Sequence, residues 1–147
     1  CVPIGAPFEL FDAVATKIDL QANPLLPQPA LKAFCDREKI VLSSFGGLLP
    51  ITRTPKSAAK LLTALGELET AGCSADTSAT QGQLLLKWQL QTDRVVITTS
   101  SKEARMREYL ATFTLPDLDP AAMAKLNAAG AHFRAFWCAE MGEGFAE

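Results

Sequence analysis

Short apolar runs and longer amphipathic stretches follow one another along the chain. Three of the short runs, at residues 17–20, 39–43 and 94–98, have the continuous hydrophobicity of strands buried in a parallel sheet. The stretches between them repeat apolar residues at the three- and four-residue spacing of a helix face. Because strand and helix patterns alternate, the sequence predicts an α/β fold with a parallel sheet and right-handed crossovers.

Several stretches between and beyond these runs have the pattern of helices. The predicted helices cover residues 8–15, 29–35, 57–70, 77–93, 102–113 and 120–129. The helix at 102–113 carries an apolar stripe, which predicts a buried face. The residues of this stripe are Met106, Tyr109, Leu110 and Phe113. Asp119 and Pro120 form a typical helix start, with Asp as the N-cap and Pro at the first helical position.

The composition indicates one folded domain and argues against several functional classes. Of the 147 residues, 48% are hydrophobic and 20% are charged, which suffices for a core and excludes intrinsic disorder. The net charge of −2 argues against a nucleic-acid binder, which would need a basic surface. The chain has no apolar run of about 18 residues, so we expect no membrane-spanning helix.

The four cysteines are widely separated, and the chain has one His. The cysteines are Cys1, Cys35, Cys73 and Cys138. A structural zinc site needs clustered Cys and His ligands, so we expect no metal. Cys35 lies in an apolar helical pattern and is predicted to be a small core residue. A chain this apolar does not need disulfides, and we expect it in the reducing environment of the cytoplasm.

A row of hydroxyl residues, 98–101, joins the third predicted strand to the helix at 102–113. Ser100 and Glu103 have the spacing of a capping box. Free backbone N–H groups, hydroxyls and the positive end of a helix together favour anion binding, and the guanidinium of Arg105 could bind a phosphate. The alternative interpretation is an ordinary capped surface helix whose Arg105 is solvated.

This segment resembles the last strand and helix of the aldo-keto reductases. In that family a motif of the type I-P-K-S-x-x-x-x-R-I-x-E-N binds the 2′-phosphate and adenine of NADP(H). Ser100, Arg105 and Glu108 fall on the serine, arginine and glutamate of the motif. Thr99 stands in place of the lysine and Tyr109 in place of the asparagine. The resemblance therefore implies a phosphate pocket with one cation fewer than usual.

Other stretches resemble the same family in the same order. Residues 23–31 are similar to the H-P-Y-L segment after the sixth strand, and residues 83–88 to a V-L-L-R-W helix. Residues 40–48 resemble the seventh strand, with Phe45 at the aromatic position that stacks against the nicotinamide. The segment from Leu118 onward resembles the helix and loop that border the substrate pocket. The cofactor-binding residues that the resemblance implies are Phe45, Leu48, Thr99, Ser100, Ser101, Arg105, Glu108 and Tyr109.

The resemblance implies half of a (β/α)₈ TIM barrel, with an extra C-terminal helix and loop. A complete barrel needs at least about 200 residues, so we expect this chain to be the C-terminal half of a truncated member. The family's catalytic Asp, Tyr, Lys and His come from the first four strands, to which no stretch here corresponds. Residues 2–5 lack the Ser-Asn pair that holds the carboxamide of the cofactor, and Asp19 stands where the family has a Gln.

The catalytic residues are therefore unknown from the sequence. His132 lies in the tail that should flank the pocket, and it is either a candidate general acid or a partly exposed loop histidine. Three functions remain open. The chain could be an NADP(H)-linked carbonyl oxidoreductase that needs the missing half. It could also be a repurposed small-molecule binder or non-redox catalyst, such as a cyclase or isomerase, or a remnant with a structural role.

We also expect the chain to associate. Three parallel strands, with a fourth run at residues 2–4, leave two unpaired edges and one uncovered apolar face. Soluble monomers rarely expose apolar surface of several hundred Å². The sequence therefore predicts a homodimer or a complex with a complementary half-barrel, whose shared cavity would hold a small-molecule substrate.

Overall fold

The computed structural model describes residues 16–53, 58–71 and 78–130. The predicted helix at 8–15, the apolar run at 2–4 and the tail with His132 lie outside these residues. In order along the chain, the elements are β1 Lys17–Gln21, α1 Pro29–Arg37, β2 Val41–Phe45, α2 Leu49–Thr52, α3 Ala59–Ala71, α4 Gln81–Leu90, β3 Val95–Val96, α5 Glu103–Ala111, a 3₁₀ turn Thr112–Thr114 and α6 Pro120–Gly130. The predicted alternation of strands and helices is confirmed.

The three strands form one parallel sheet in the order β1-β2-β3. β2 begins two residues later than predicted, because Lys39 adopts a left-handed φ of 58° and the N–H of Ile40 donates to the carbonyl of Cys35 at 2.8 Å. β2 keeps its predicted length and ends two residues later, whereas β3 is shorter than predicted. The last hydrogen bond of its ladder is donated by the N–H of Ile97 to the carbonyl oxygen of Ser44, at 2.7 Å. β2 ends before Gly46, where the chain turns away with a φ of 67°.

The two faces of the sheet differ in how they are covered. Side chains alternate between the faces of a strand, and Leu20, Leu42 and Val96 lie on the face that packs against the helices. Large apolar side chains of the opposite face are between 44 and 50% exposed. They are Val41, Phe45, Val95 and Ile97. We call this surface the open face; within the described ranges, no element covers it.

The main core lies between α3, α4 and α6. Leu61, Leu84 and Leu126, one from each helix, are fully buried. Trp88 of α4 is 1% exposed, and its indole N–H donates to Oδ1 of Asn127 at 2.8 Å. Burying a side chain of this size contributes several kcal/mol, about 3–5 when measured as the cost of its removal. This cluster therefore fixes the helices behind the sheet.

A smaller core joins α1 to the first two strands. Cys35 is fully buried there beside Phe34 and Leu42, which confirms its predicted role as a core residue. Burial raises the pKa of its thiol. A buried neutral thiol is a poor nucleophile, because the thiolate is the reactive form. Cys35 is accordingly a packing residue.

α6 begins and ends with specific backbone contacts. The N–H of Ala122 donates to Oδ1 of Asp119 at 2.7 Å, which confirms the predicted N-cap. At its other end Gly130 lies against the loop after β1, where a Cβ would come within 1.7 Å of the carbonyl oxygen of Pro24. Only a residue without a side chain permits this approach, so α6 and that loop are held together at Gly130.

The predicted buried stripe of α5 is wrong. No residue of the helix is buried, and Met106, Leu110 and Phe113 are 44, 67 and 69% exposed. Only Tyr109 packs against the core. The periodicity correctly indicates a helix with an apolar face. The other residues of that face stay exposed, while α5 contacts α4 and the 3₁₀ turn.

The remaining observations concern membranes and metals. None of the helices in the described parts of the chain is long and apolar enough to cross a membrane. Within those same parts, no group of three or more His, Cys, Asp or Glu side chains is arranged to hold a metal ion.

Candidate functional site

The first turn of α4 is built by a capping box. Oγ1 of Thr80 accepts from the N–H of Gln83 at 3.2 Å, and Oε1 of Gln83 accepts from the N–H of Thr80 at 3.1 Å. The spacing Thr-x-x-Gln was visible in the sequence, but our sequence analysis missed it. Gln81 and Gly82 follow the cap and form the N-terminal, positive end of the α4 helix dipole.

The start of α5 differs from the prediction. The predicted capping box of Ser100 and Glu103 is wrong, because the helix begins at Glu103 and its N-cap is Lys102. Oγ of Ser100 instead accepts from the N–H of Lys102 at 3.1 Å, and Glu103 pairs with Arg107 at 2.6 Å. Ser100 thus lies two residues before the N-cap, in the exposed loop that leads into the helix.

Glu108 connects these two helices. The hydroxyl of Thr80 donates to Oε1 of Glu108 at 2.5 Å, and Nε2 of Gln83 donates to the carbonyl oxygen of Glu108 at 3.0 Å. Both contacts reach from the first turn of α4 to the middle of α5. They hold α5 in place although none of its residues is buried.

A cleft of about 470 Å³ lies between the two helices and α2. Its lining includes four of the residues that the family resemblance implies: Leu48, Arg105, Glu108 and Tyr109. Thr80, Gln81 and Gly82 of α4 and Glu69 of α3 also line it, and the sequence analysis named none of them. The structure therefore gathers half of the predicted residues around one cavity.

The other four predicted residues do not line the cleft. Phe45 lies at the end of β2 on the open face of the sheet, and it is 44% exposed. The loop between β3 and α5 contains Thr99, Ser100 and Ser101. Thr99 and Ser101 are exposed there, and Ser100 is partly exposed. Gly46 makes the turn between Phe45 and the cleft residue Leu48.

Arg105 is a cation that lines this cleft. Its guanidinium forms no ion pair with any residue in the described ranges, whereas Arg107 of the same helix is paired with Glu103. The two carboxylates that line the cleft already have donors, since Nε2 of Gln81 donates to Glu69 at 3.0 Å and Thr80 donates to Glu108. An unpaired guanidinium beside a helix N-terminus can bind an anion.

A second polar feature lies on the open face. Nζ of Lys17 is 3.1 Å from Oδ1 of Asp19, and both side chains are about half exposed. The hydrogen bond from Lys17 lowers the pKa of the Asp19 carboxyl below its ordinary value. Asp19 is therefore ionised at neutral pH and suited to accept a hydrogen bond. It lies one strand away from Phe45, next to Ser43 in the sheet register.

Solved aldo-keto reductase structures have the same fold as this chain. A mutant form of Gox0644, solved in complex with NADPH, matches with a TM-score of 0.63 at 22% identity, over 82% of this chain and 40% of that one. MGS-M4, an aldo-keto reductase from a Medee basin deep-sea metagenome library, has a TM-score of 0.65 at 17% identity, over 82% and 41%. An aldo-keto reductase from Brucella melitensis has a TM-score of 0.59 at 18% identity, over 77% and 38%.

These matches confirm the predicted fold class. The three parallel strands and their helices correspond to part of an aldo-keto reductase TIM barrel. The chain spans about 40% of the length of the structures that it matches. No family model and no curated protein matches it.

Proposed function

We propose that this chain binds NADP(H) and belongs to an aldo-keto-reductase-like system for carbonyl reduction. The observation that carries the proposal is Arg105 on the cleft between α4 and α5, which has no ion-pair partner among the described residues. Arg105 is also the residue that falls on the arginine of the family's phosphate motif. The neighbour solved with NADPH has the same fold and adds support.

The residues around the cleft fit the adenosine end of such a cofactor. The guanidinium of Arg105 would donate hydrogen bonds to the 2′-phosphate, and the first turn of α4 would add its backbone N–H groups. Tyr109 would pack against the adenine. Lys102, exposed and one residue before α5, would supply a second positive charge in place of the lysine that Thr99 replaces.

Phe45 would serve the other end of the cofactor. An exposed aromatic ring at the end of β2 offers a flat surface for the nicotinamide. When bound there, NADPH would supply a hydride to a carbonyl carbon. Asp19, on the adjacent strand, could accept a hydrogen bond from the carboxamide, because its carboxylate is ionised at neutral pH.

The test of the cofactor proposal is a comparison of two nucleotides. NADPH should bind more tightly than NADH, because only NADPH carries the 2′-phosphate that Arg105 would bind. Fluorescence titration of each nucleotide against the same protein sample measures the ratio. Equal binding of both, or no binding of either, would contradict the proposal and favour a repurposed binder.

The isolated chain is expected to show no oxidation of NADPH with simple aldehydes. Carbonyl reduction needs a proton donor beside the developing alkoxide. The one tyrosine of the sequence, Tyr109, lines the cleft assigned to the adenosine end. Loss of NADPH absorbance in the presence of aldehyde should therefore match the background rate. A clear rate that His132→Ala abolishes would contradict this prediction and make His132 the proton donor.

We further propose that the open face is covered in a homodimer, or in a complex with a complementary half-barrel. The face carries four large apolar side chains that are nearly half exposed. Parallel sheets occur almost only with both faces covered. Among the described residues, β1 and β3 are the edge strands of the sheet, and their edges would accept the outer strands of the partner. The cavity between the halves would hold the small-molecule substrate.

Sedimentation analysis tests this association. At low micromolar concentration the protein should be larger than one 15.8 kDa chain. Val95→Lys, which places a charge on the open face, should shift the sample toward monomer, whereas Lys60→Glu on the outer helix α3 should not. A stable, folded monomer of the unmodified chain would contradict the proposal.

A further inference from the structure

Arg94 has an unusual environment immediately before β3. The residue is 6% exposed, and its guanidinium carbon lies 5.5 Å from the centroid of the Trp88 ring. Nη2 donates to the carbonyl oxygen of Pro27 at 2.6 Å. Nε and Nη1 are buried, and neither has a hydrogen-bond acceptor among the described residues.

This arrangement buries a positive charge on which the Asp36 carboxylate acts only from beyond salt-bridge distance. In the described parts of the chain, no carboxylate forms an ion pair with Arg94. Burial lowers the pKa of the guanidinium, but an arginine stays protonated at any physiological pH. Buried charges in proteins are normally paired, because removing a charge from water is costly. The Nε and Nη1 donors of Arg94 therefore need an acceptor, and the described residues do not supply one.

A separate cleft of about 420 Å³ borders this guanidinium. Pro27, Pro29 and Trp88 give it apolar walls, and Asn127 adds one amide. A mostly apolar cavity with a few polar groups is the usual form of a small-molecule site. The cleft has no lining residue in common with the cavity around Arg105.

The charges of the lining indicate the ligand. Lys32 and Arg94 are positive and Asp93 is negative, and Asp36, which pairs with Lys32 and also acts on Arg94, is a second negative charge beside the cleft. Lys32 is already engaged by Asp36, at 2.6 Å. Arg94 is thus the one cation of this lining without a salt bridge among the described residues, and a guanidinium fork matches the geometry of a carboxylate.

We propose that this cleft is a binding site for a small monocarboxylate with an apolar body, with Arg94 as the anchor of the carboxylate. The apolar part of the ligand would lie against the two prolines and the edge of Trp88. Lys32 would add long-range attraction, and Asp36 and Asp93 would oppose it. The site does not depend on the cofactor proposal, since the two clefts are lined by different residues.

Benzoate is a suitable probe, with benzamide as its uncharged counterpart. In a ¹⁵N-resolved NMR titration of the full chain, benzoate should shift the Arg94 Nε–H and the Trp88 indole N–H in a saturable way. Benzamide should not. Absence of a saturable shift with benzoate, or equal shifts with both compounds, would overturn the proposal.

Charge variants give a test that does not require removal of the buried arginine. Lys32→Gln should weaken benzoate binding about two- to fivefold, and Asp93→Asn should strengthen it by a similar factor. Asn tolerates the left-handed φ of 52° at position 93, so the second variant should fold normally. The control is Arg37→Gln. This variant removes an exposed cation that lies on α1, as Lys32 does, but outside the cleft. Unchanged affinity in both cleft variants, or effects no larger than those of the control, would overturn the proposal.

Discussion

Arg105→Ala should weaken NADPH binding by about 1–3 kcal/mol, which is the range for a lost charge-assisted hydrogen bond. NADH binding should change little, because NADH lacks the 2′-phosphate. The folded protein should keep its stability, since Arg105 is exposed and unpaired within the described ranges. Parallel titrations of both nucleotides against the variant and the unmodified chain measure the effect.

Arg107→Ala is the matched control for this prediction. Arg107 lies two residues further along α5 and pairs with Glu103, and it does not line the cleft. Its removal changes the net charge by the same amount as Arg105→Ala. Equal losses of NADPH affinity in the two variants would indicate general charge attraction rather than a defined phosphate site.

Trp88→Ala should reduce the free energy of unfolding by about 3–5 kcal/mol. The indole is 1% exposed in the main core, and its N–H donates to Asn127 on α6. The variant would leave a cavity between α4 and α6 and an unpaired amide. Because small domains are stable by only about 5–15 kcal/mol in total, this loss would bring the protein close to unfolding. Urea denaturation followed by circular dichroism measures the change.

Asn127→Ala separates the hydrogen bond from the packing of the ring. Removing the acceptor alone should cost about 1–3 kcal/mol, since it leaves the indole N–H without its partner. A loss in Trp88→Ala no larger than that in Asn127→Ala would mean that the ring contributes little beyond its hydrogen bond.

The sequence predicted the sheet well, because a buried parallel strand has a continuous apolar run that few other structures share. It predicted the strand ends less well. The left-handed Lys39 delays the start of β2, the turn at Gly46 ends it two residues later than predicted, and β3 is shorter than predicted. These ends depend on backbone conformations that the hydrophobic pattern does not encode.

The candidate site was only half predictable. Arg105, Glu108 and Tyr109 share one helix, so a local motif was enough to place them together. Thr80 and Glu69 reach the same cleft from α4 and α3, which are distant in sequence, and only the packing of those helices brings them there. The stripe on α5 shows a related limit. Periodicity indicates that a helix has an apolar face, but not which element covers it.

The most direct measurement of the central proposal is an NMR map of nucleotide binding on the unmodified chain. Adenosine 2′,5′-bisphosphate carries the 2′-phosphate, and adenosine 5′-monophosphate lacks it. The bisphosphate should shift the backbone amides of residues 80–82 and 102–109 at concentrations where the monophosphate has little effect. Shifts confined to other parts of the protein, or identical shifts with both nucleotides, would contradict the assignment of this cleft to NADP(H).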